Sequence, residues 1–269
     1  MGATFTLPTD LRAKPARAGA NGQLVYAIGD VHGRYDLLRD LVARIWHDWL
    51  AWGAGQRAVL LFCGDYIDRG PDSAAVIEAL IWLREQGDFA VTLLKGNHEQ
   101  ALLRFIDDPV EGAEWLDFGG LETLASYGVA PPEAGAAGLR HARKALLEHM
   151  PASHLLVLQR LELMVTVGDY AFVHAGIRSG VPLAHQEEED LLWIRDGFLD
   201  VERPFEKIIV HGHSWKSDRV DIHPHRIGVD TGGYHTGVLS AVRIDDDGIA
   251  VLQTIAAGDR AAQPDMFRR

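Results

Sequence analysis

Five short polar motifs, each closing an apolar run, constrain this chain more than any other feature. In chain order they are Gly29-Asp30-Val31-His32-Gly33, Gly64-Asp65-Tyr66-Ile67-Asp68-Arg69-Gly70, Gly96-Asn97-His98-Glu99, His174-Ala175-Gly176 and Gly212-His213. Packing gives carboxylate, imidazole and amide groups no reason to collect at such positions. Metal binding does, because hard and borderline donors of these types surround divalent ions. A fold that serves them must bring the ends of several strands to one place, which is where open α/β sheets hold their ligands.

The apolar runs support that reading. Residues 23–28, 58–63 and 89–94 read as strands, the middle one continuous enough to be buried on both faces. Between them, Leu38, Leu41, Val42, Ile45 and Trp49 recur at helical spacing over residues 35–52. Residues 72–86 form a second helix, with Asp72 placed to cap its start and Gly87 its end. Residues 99–158 read as mostly helical, interrupted at Pro131-Pro132, and carry no motif beyond Glu99. They are expected to form a helical insertion or cap beside the site. Residues 161–167 and 170–173 suggest a hairpin ending at His174, and residues 207–210 a strand ending at His211-Gly212-His213. Strand-like runs at 219–222, 226–229, 237–244 and 248–254 predict a second, more antiparallel sheet. The expected organisation is a leader over 1–22, one α/β domain over 23–258 and a tail over 259–269. Within the domain, two mixed sheets lie face to face with helices outside, an α/β/β/α sandwich of four layers.

Composition narrows the partners. With 47% hydrophobic and 24% charged residues the chain has material for a sizeable core. Its net charge of −12 repels polyanions, so nucleic acid is an unsuitable partner. The single cysteine, Cys63, allows no intrachain disulfide and reads as a small buried strand residue. No apolar window reaches the ~18 residues of a membrane span. A cytoplasmic protein with no membrane partner is expected; the oligomeric state is left open.

Cleaving a phosphate ester means bringing a hydroxide to a dianion. Two divalent ions ~3.5–4 Å apart achieve this by acidifying a bridging water and neutralising the phosphoryl oxygens. The five motifs in this order resemble those of the metallophosphoesterase superfamily, and most closely its phosphoprotein phosphatase family, from about residue 24 to about 255. The resemblance implies that Asp65 bridges two ions. Asp30, His32 and His213 would complete the first site, and Asn97 and His174 the second. It further implies that His98 is a general acid oriented by Asp68, and that Arg69 and Arg195 clamp the phosphate. Tyr234, in a loop similar to one in bacterial relatives, is a candidate substrate contact. Manganese is the expected metal, with iron or zinc as alternatives for the same ligand types. Two ions against two aspartates leave a cationic centre, suited to a phosphate.

Three functions compete. The first is a phosphatase for phosphoserine and phosphothreonine in proteins or peptides. The second is a diadenosine tetraphosphate hydrolase. The symmetrical enzymes of that kind usually lack the Asp of Asp-Arg-Gly and carry Asp after Asn-His, whereas this chain has Asp68 and Glu99. The third is a non-catalytic metal-bound scaffold, which predicts loss of Asp68, His98, Arg69 or Arg195; all four are present. His211 could replace His213 as ligand, but the resemblance favours the residue directly after Gly212. His223, His225 and His235 read as surface or strand histidines.

Overall fold

The computed structural model describes residues 18–53 and 55–256. The expected tail, 259–269, and most of the leader lie outside the described residues. The leader's last residues, 18–22, are anchored. Ala18 and Ala20 are buried. The Ala20 and Gly22 amides donate to the Asp246 carboxylate at 2.7 and 2.8 Å, and the Gly19 amide to Asp169 Oδ2 at 2.9 Å.

The amino-terminal half alternates strand and helix: β1 (Leu24–Ile28), α1 (Tyr35–Trp52), β2 (Ala58–Phe62), α2 (Ser73–Gln86), β3 (Ala90–Leu93) and α3 (Asn97–Asp107). β1, β2 and β3 pair in parallel. Gly87 closes α2 in the left-handed conformation, as expected, but Asp72 makes no side-chain cap; its own amide donates to Gly33 O at 3.0 Å. The helical stretch follows: a short 3₁₀ turn over Ala113–Phe118, then α4 (Gly120–Ser126), α5 (Ala136–His149) and α6 (Ala152–Leu158).

A second sheet takes β4 (Met164–Val167), β5 (Tyr170–Val173), β6 (Ile208–His211), β7 (Asp221–Ile222) and β8 (Arg226–Gly228), in the order β4-β5-β6-β8-β7. α7 (Glu188–Trp193) lies between β5 and β6 in the chain. The final elements are α8 (Gly233–Thr236), β9 (Val238–Asp245) and β10 (Gly248–Ile255). Here the expectation of a more antiparallel second sheet needs correcting. Its centre, β5-β6-β8, is parallel, and the last hairpin leaves it for the first sheet, ordered β10-β9-β1-β2-β3. The physical reason is at β1. All five of its residues are buried, so both its edges need partners, and β9 supplies the antiparallel one.

Side-chain alternation builds the four layers. Val25 and Ala27 face inward with Leu61 and Cys63, meeting Tyr170, Phe172, Val210 and Ile227 of the second sheet. Leu24, Tyr26 and Ile28 face outward, under α1, α2 and α3. Ala171, Val173 and Ile209 form the second sheet's outer face, against Leu183, Leu191 and Phe198. Trp115, Leu124, Leu146 and Leu158 of the helical stretch join the core outside the first sheet, so that stretch shares its packing. No described helix is long and apolar enough to cross a membrane.

Candidate metal centre and active site

All five motifs converge at the carboxyl ends of β1, β2, β3, β5 and β6. Among the described residues, six non-glycines have positive φ, and five are motif residues: His32, Asp65, Asp68, Arg69 and His213. Such backbone persists only where its surroundings hold it. Here the Val31 and His32 amides donate to Asp65 O at 3.0 and 2.9 Å, and the Gly33 amide to Tyr66 O at 2.8 Å. The strain therefore falls on the candidate site residues themselves, while the flanking Gly33 and Gly64 take positive φ without steric cost. Gly212 has a different role: a Cβ there would lie 2.1 Å from Asp30 Oδ1.

Asp65 sits at the middle. One carboxylate oxygen, Oδ2, lies 3.5 Å from His32 Nε2; the other, Oδ1, lies 3.5 Å from His174 Nε2. Two sets of ligand atoms share it: His32, Asp65 and His98 on one side, Asp65, His174 and His213 on the other. Asn97 Oδ1 is 2.8 Å from His174 Nε2 and 3.1 Å from His213 Nδ1. The placement of His213 differs from the expectation. Its imidazole stands with Asn97 and His174, 5.0 Å between the His174 and His213 rings, and only its backbone amide reaches Asp30, at 2.9 Å to Oδ2. At His213, where φ is 61°, the amide thus faces the residue after the first strand and the ring the start of α3. His211 instead lies in the second sheet, its ring 5.0 Å from that of Phe198.

The donor set fits divalent ions. His32 Nδ1 is 2.9 Å from Ile67 O and His174 Nδ1 2.8 Å from Cys63 O. A carbonyl only accepts, so each Nδ1 carries the proton and each Nε2 presents a lone pair toward Asp65. This is the arrangement that outer hydrogen bonds impose on metal-binding histidines. Burial holds His32 and His174 below the usual imidazole range, and burial with the neighbouring His174 holds His213 at about 2. Burial pushes Asp65 up, but the four surrounding imidazoles outweigh it and hold it well below the carboxylate range. Asp30 Oδ1 is buried without a hydrogen-bond partner, an orphaned acceptor that an ion would satisfy.

His98 differs from the other imidazoles. Its Nδ1 faces the Asp68 carboxylate at 2.7 Å, and its Nε2 lies 3.8 Å from Asp65 Oδ2. Burial pushes it down, yet Asp65 and Asp68 together raise it above the usual imidazole range. Arg69 is exposed, its guanidinium 4.5 Å over the Tyr234 ring, and that ring packs edge-on to His32 at 5.1 Å. Arg195 is also exposed and places Nε 3.0 Å from His213 Nε2. Both arginines and Tyr234 thus stand at the rim of the centre.

Two residues at the site, Trp115 and Thr123, were not singled out by the sequence, and a third, Glu99, was marked there only as a motif residue that separates two families. Glu99 accepts the amides of Asp65, Tyr66 and Gly96 at 3.0, 2.8 and 2.9 Å, which links the second and third motifs. Trp115 and Thr123, from the helical stretch, both donate to Asp68. Glu99 was visible as a motif member, but nothing local marks Trp115 or Thr123. Residues 187–190 are all acidic, and two of them pair with cations: Lys95 meets Glu188 at 2.8 Å and Arg178 meets Asp190. His223 contacts Asp221 and Arg226, and the His235 ring lies tilted beside Trp215, 5.3 Å between centroids; neither joins the ligand sets.

Comparison with known proteins agrees with this geometry. Residues 24–237 match the model of the family described as calcineurin-like phosphoesterase. A Bacillus cereus protein named bis(5′-nucleosyl)-tetraphosphatase PrpE [asymmetrical] is 27% identical over 234 residues, covering 80% of this chain and 88% of its own. A Bacillus anthracis protein of the same name is equally similar, 27% over 234 residues with the same coverage. Among solved structures, a candidate diadenosine tetraphosphatase matches with a TM-score of 0.57 and 19% identity, covering 87% of this chain and 94% of that one. A cold-active protein-tyrosine phosphatase of a Shewanella species matches with a TM-score of 0.51 and 18% identity, covering 86% and 80%. These structural likenesses show the shared fold. The family uses a binuclear divalent metal centre, and the ligand sets around Asp65 are where this chain would hold it. With the match spanning most of its length, the chain belongs to the calcineurin-like phosphoesterase family and is a metal-dependent phosphoric ester hydrolase.

Proposed function

We propose that this protein is a phosphatase for phosphoserine and phosphothreonine in proteins or peptides. The observation that carries the reading is the buried His98–Asp68 pair, 2.7 Å apart beside the ligand cluster. A serine or threonine alkoxide is a poor leaving group and needs a proton as the phosphorus–oxygen bond breaks. A nucleotide leaving from a phosphoanhydride is stable as an anion and needs none. A built proton donor therefore suits the first reaction better. When bound, a pair of divalent ions would acidify the attacking water and neutralise phosphoryl oxygens. The chain's own residues do the rest. Arg69 and Arg195 bind phosphoryl oxygens through charge-assisted hydrogen bonds. His98 passes the Nε2 proton to the ester oxygen as that oxygen leaves phosphorus, and Asp68 keeps the imidazole oriented through Nδ1. His32 and His174 have their Nδ1 protons committed to carbonyls, so they serve as ligands while His98 serves as acid. Manganese remains the metal we propose, since aspartate, asparagine and histidine donors suit it.

A second reading rests on the curated relatives named as tetraphosphatases: asymmetrical hydrolysis of a dinucleoside tetraphosphate. The test is kcat/KM for a phosphoserine peptide and for diadenosine tetraphosphate in one buffer with added manganese. The peptide is expected to win. A preference above tenfold for the dinucleotide would replace the first reading with the second.

A further inference from the structure

The helical stretch after the third motif contains no metal ligand, yet it reaches Asp68 from two directions. The Asp68 side chain is fully buried, and its backbone is left-handed, with φ at 71°. Besides His98, two donors hold its carboxylate. Trp115 Nε1 lies 2.9 Å from Oδ2 and 3.2 Å from Oδ1, and Thr123 Oγ1 lies 2.6 Å from Oδ1. Thr123 Oγ1 also accepts the Asp68 amide at 2.9 Å, so one hydroxyl clasps both the backbone and the side chain of the same residue. Ser73 Oγ stands 2.9 Å from Thr123 Oγ1. A hydroxyl has one proton to give. The carboxylate can only accept, so the Thr123 proton goes to Asp68 and the Ser73 proton goes to Thr123.

The neighbouring backbone is held by the same stretch. The Arg69 amide donates to Gly119 O at 3.3 Å. A Cβ at Gly119 would lie 2.6 Å from Arg69 N, so only glycine allows this approach. Trp115 packs 5.0 Å from Phe105 of α3, the helix that begins with Asn97 and His98. The two members of the acid pair thus come from different elements, and Trp115 and Thr123 fix one against the other.

We infer that Thr123 and Trp115 are positioning residues for proton delivery, and that the helical stretch 99–158 builds part of the catalytic apparatus in addition to covering it. The physical reason is directional. Trp115, spanning both oxygens, and Thr123, on Oδ1, fix the plane of the carboxylate, and in that plane Oδ2 is held 2.7 Å from His98 Nδ1. Without Thr123 the carboxylate can rotate toward other partners, and the imidazole loses its set orientation. This inference rests on the reading of His98 as the proton donor.

The test compares leaving groups in the manganese-loaded full chain. Thr123→Val removes the hydroxyl at nearly constant volume. It is expected to lower kcat on phenyl phosphate or a phosphoserine peptide about tenfold more than on 4-nitrophenyl phosphate, a fraction of the ~10²–10⁴ worth of a general acid. KM and the bound metal should stay as in the parent. Thr123→Ser, which restores the donor, should restore the ratio. Trp115→Phe repeats the measurement on the second donor and decides the matter alone if Thr123→Val does not fold. In the metal-free protein, the nitrogen resonances of the His98 imidazole should move in Thr123→Val, which a purely structural role elsewhere would not produce. An equal loss on both substrates, or no loss, overturns the inference. His98→Asn is the control for the reading beneath it: if that variant shows no dependence on leaving group, the assignment of the acid fails, whatever Thr123 does.

Discussion

Asp65 offers one carboxylate oxygen toward His32 and the other toward His174, so one side chain is placed to serve two ions. An amide in its place keeps the shape but has a single oxygen for two centres. Asp65→Asn should therefore lower metal content at both sites and abolish turnover. Metal analysis against activity checks this, and one ion per chain in fully active protein would contradict the shared carboxylate. The neighbouring imidazole carries a different load. His98→Asn should keep both ions while lowering kcat by ~10²–10⁴. The loss should shrink on 4-nitrophenyl phosphate, whose leaving group needs little help. Equal losses across leaving groups would remove His98 from the role of acid.

At the scale of elements, the site depends on how the start of α3 is tied to the loop after β2. Glu99 is the third residue of α3, and its carboxylate reaches back to accept the amide of Gly96, the residue before the helix, at 2.9 Å. The same carboxylate accepts the amides of Asp65 and Tyr66. Burial and the nearby Asp65 carboxylate push its acid up to about 8, against the pull of the amides. Glu99→Gln replaces one acceptor oxygen with an NH₂ group that must face an amide donor. It should destabilise the fold by about 1–3 kcal/mol, the cost of a buried unsatisfied group, and should loosen Asp65. A urea melt and metal affinity measured together check this; a variant with parental stability and metal affinity would show that the tie is dispensable.

Across the whole molecule, ligands from both sheets meet at one seam: Asp30, Asp65 and Asn97 follow the first sheet, His174 and His213 the second. Ions held there cross-link the sandwich. Metal binds the folded form and so stabilises it by about 2.7 kcal/mol at a hundredfold excess over Kd. Chelation should thus lower Tm by roughly 5 °C or more, an effect that Asp65→Asn should blunt; calorimetry with and without chelator reads it. An unchanged Tm would mean that the centre forms without linking the sheets. Much of this was legible in the residues. Alternating apolar positions in β1, helical spacing in α1 and short polar motifs after apolar runs are local patterns, and local backbone physics makes them strands, helices and ligand-bearing turns. The place of β9 and β10 was not legible, because which edge a hairpin joins depends on the unmet partners of β1, more than 200 residues away. Nor was the side of the centre that the His213 ring faces, because its neighbours Asn97 and His174 are far from it in the chain. Trp115 and Thr123 carry no local sign either; a tryptophan and a threonine become holders of Asp68 only when a helical stretch folds back over the second motif. Which chemical groups reach the site, and on which elements they ride, is written in local residue patterns. Which of those groups face each other is not, because hydrogen-bond partners far apart in the chain are set by packing, and packing is a property of the whole fold.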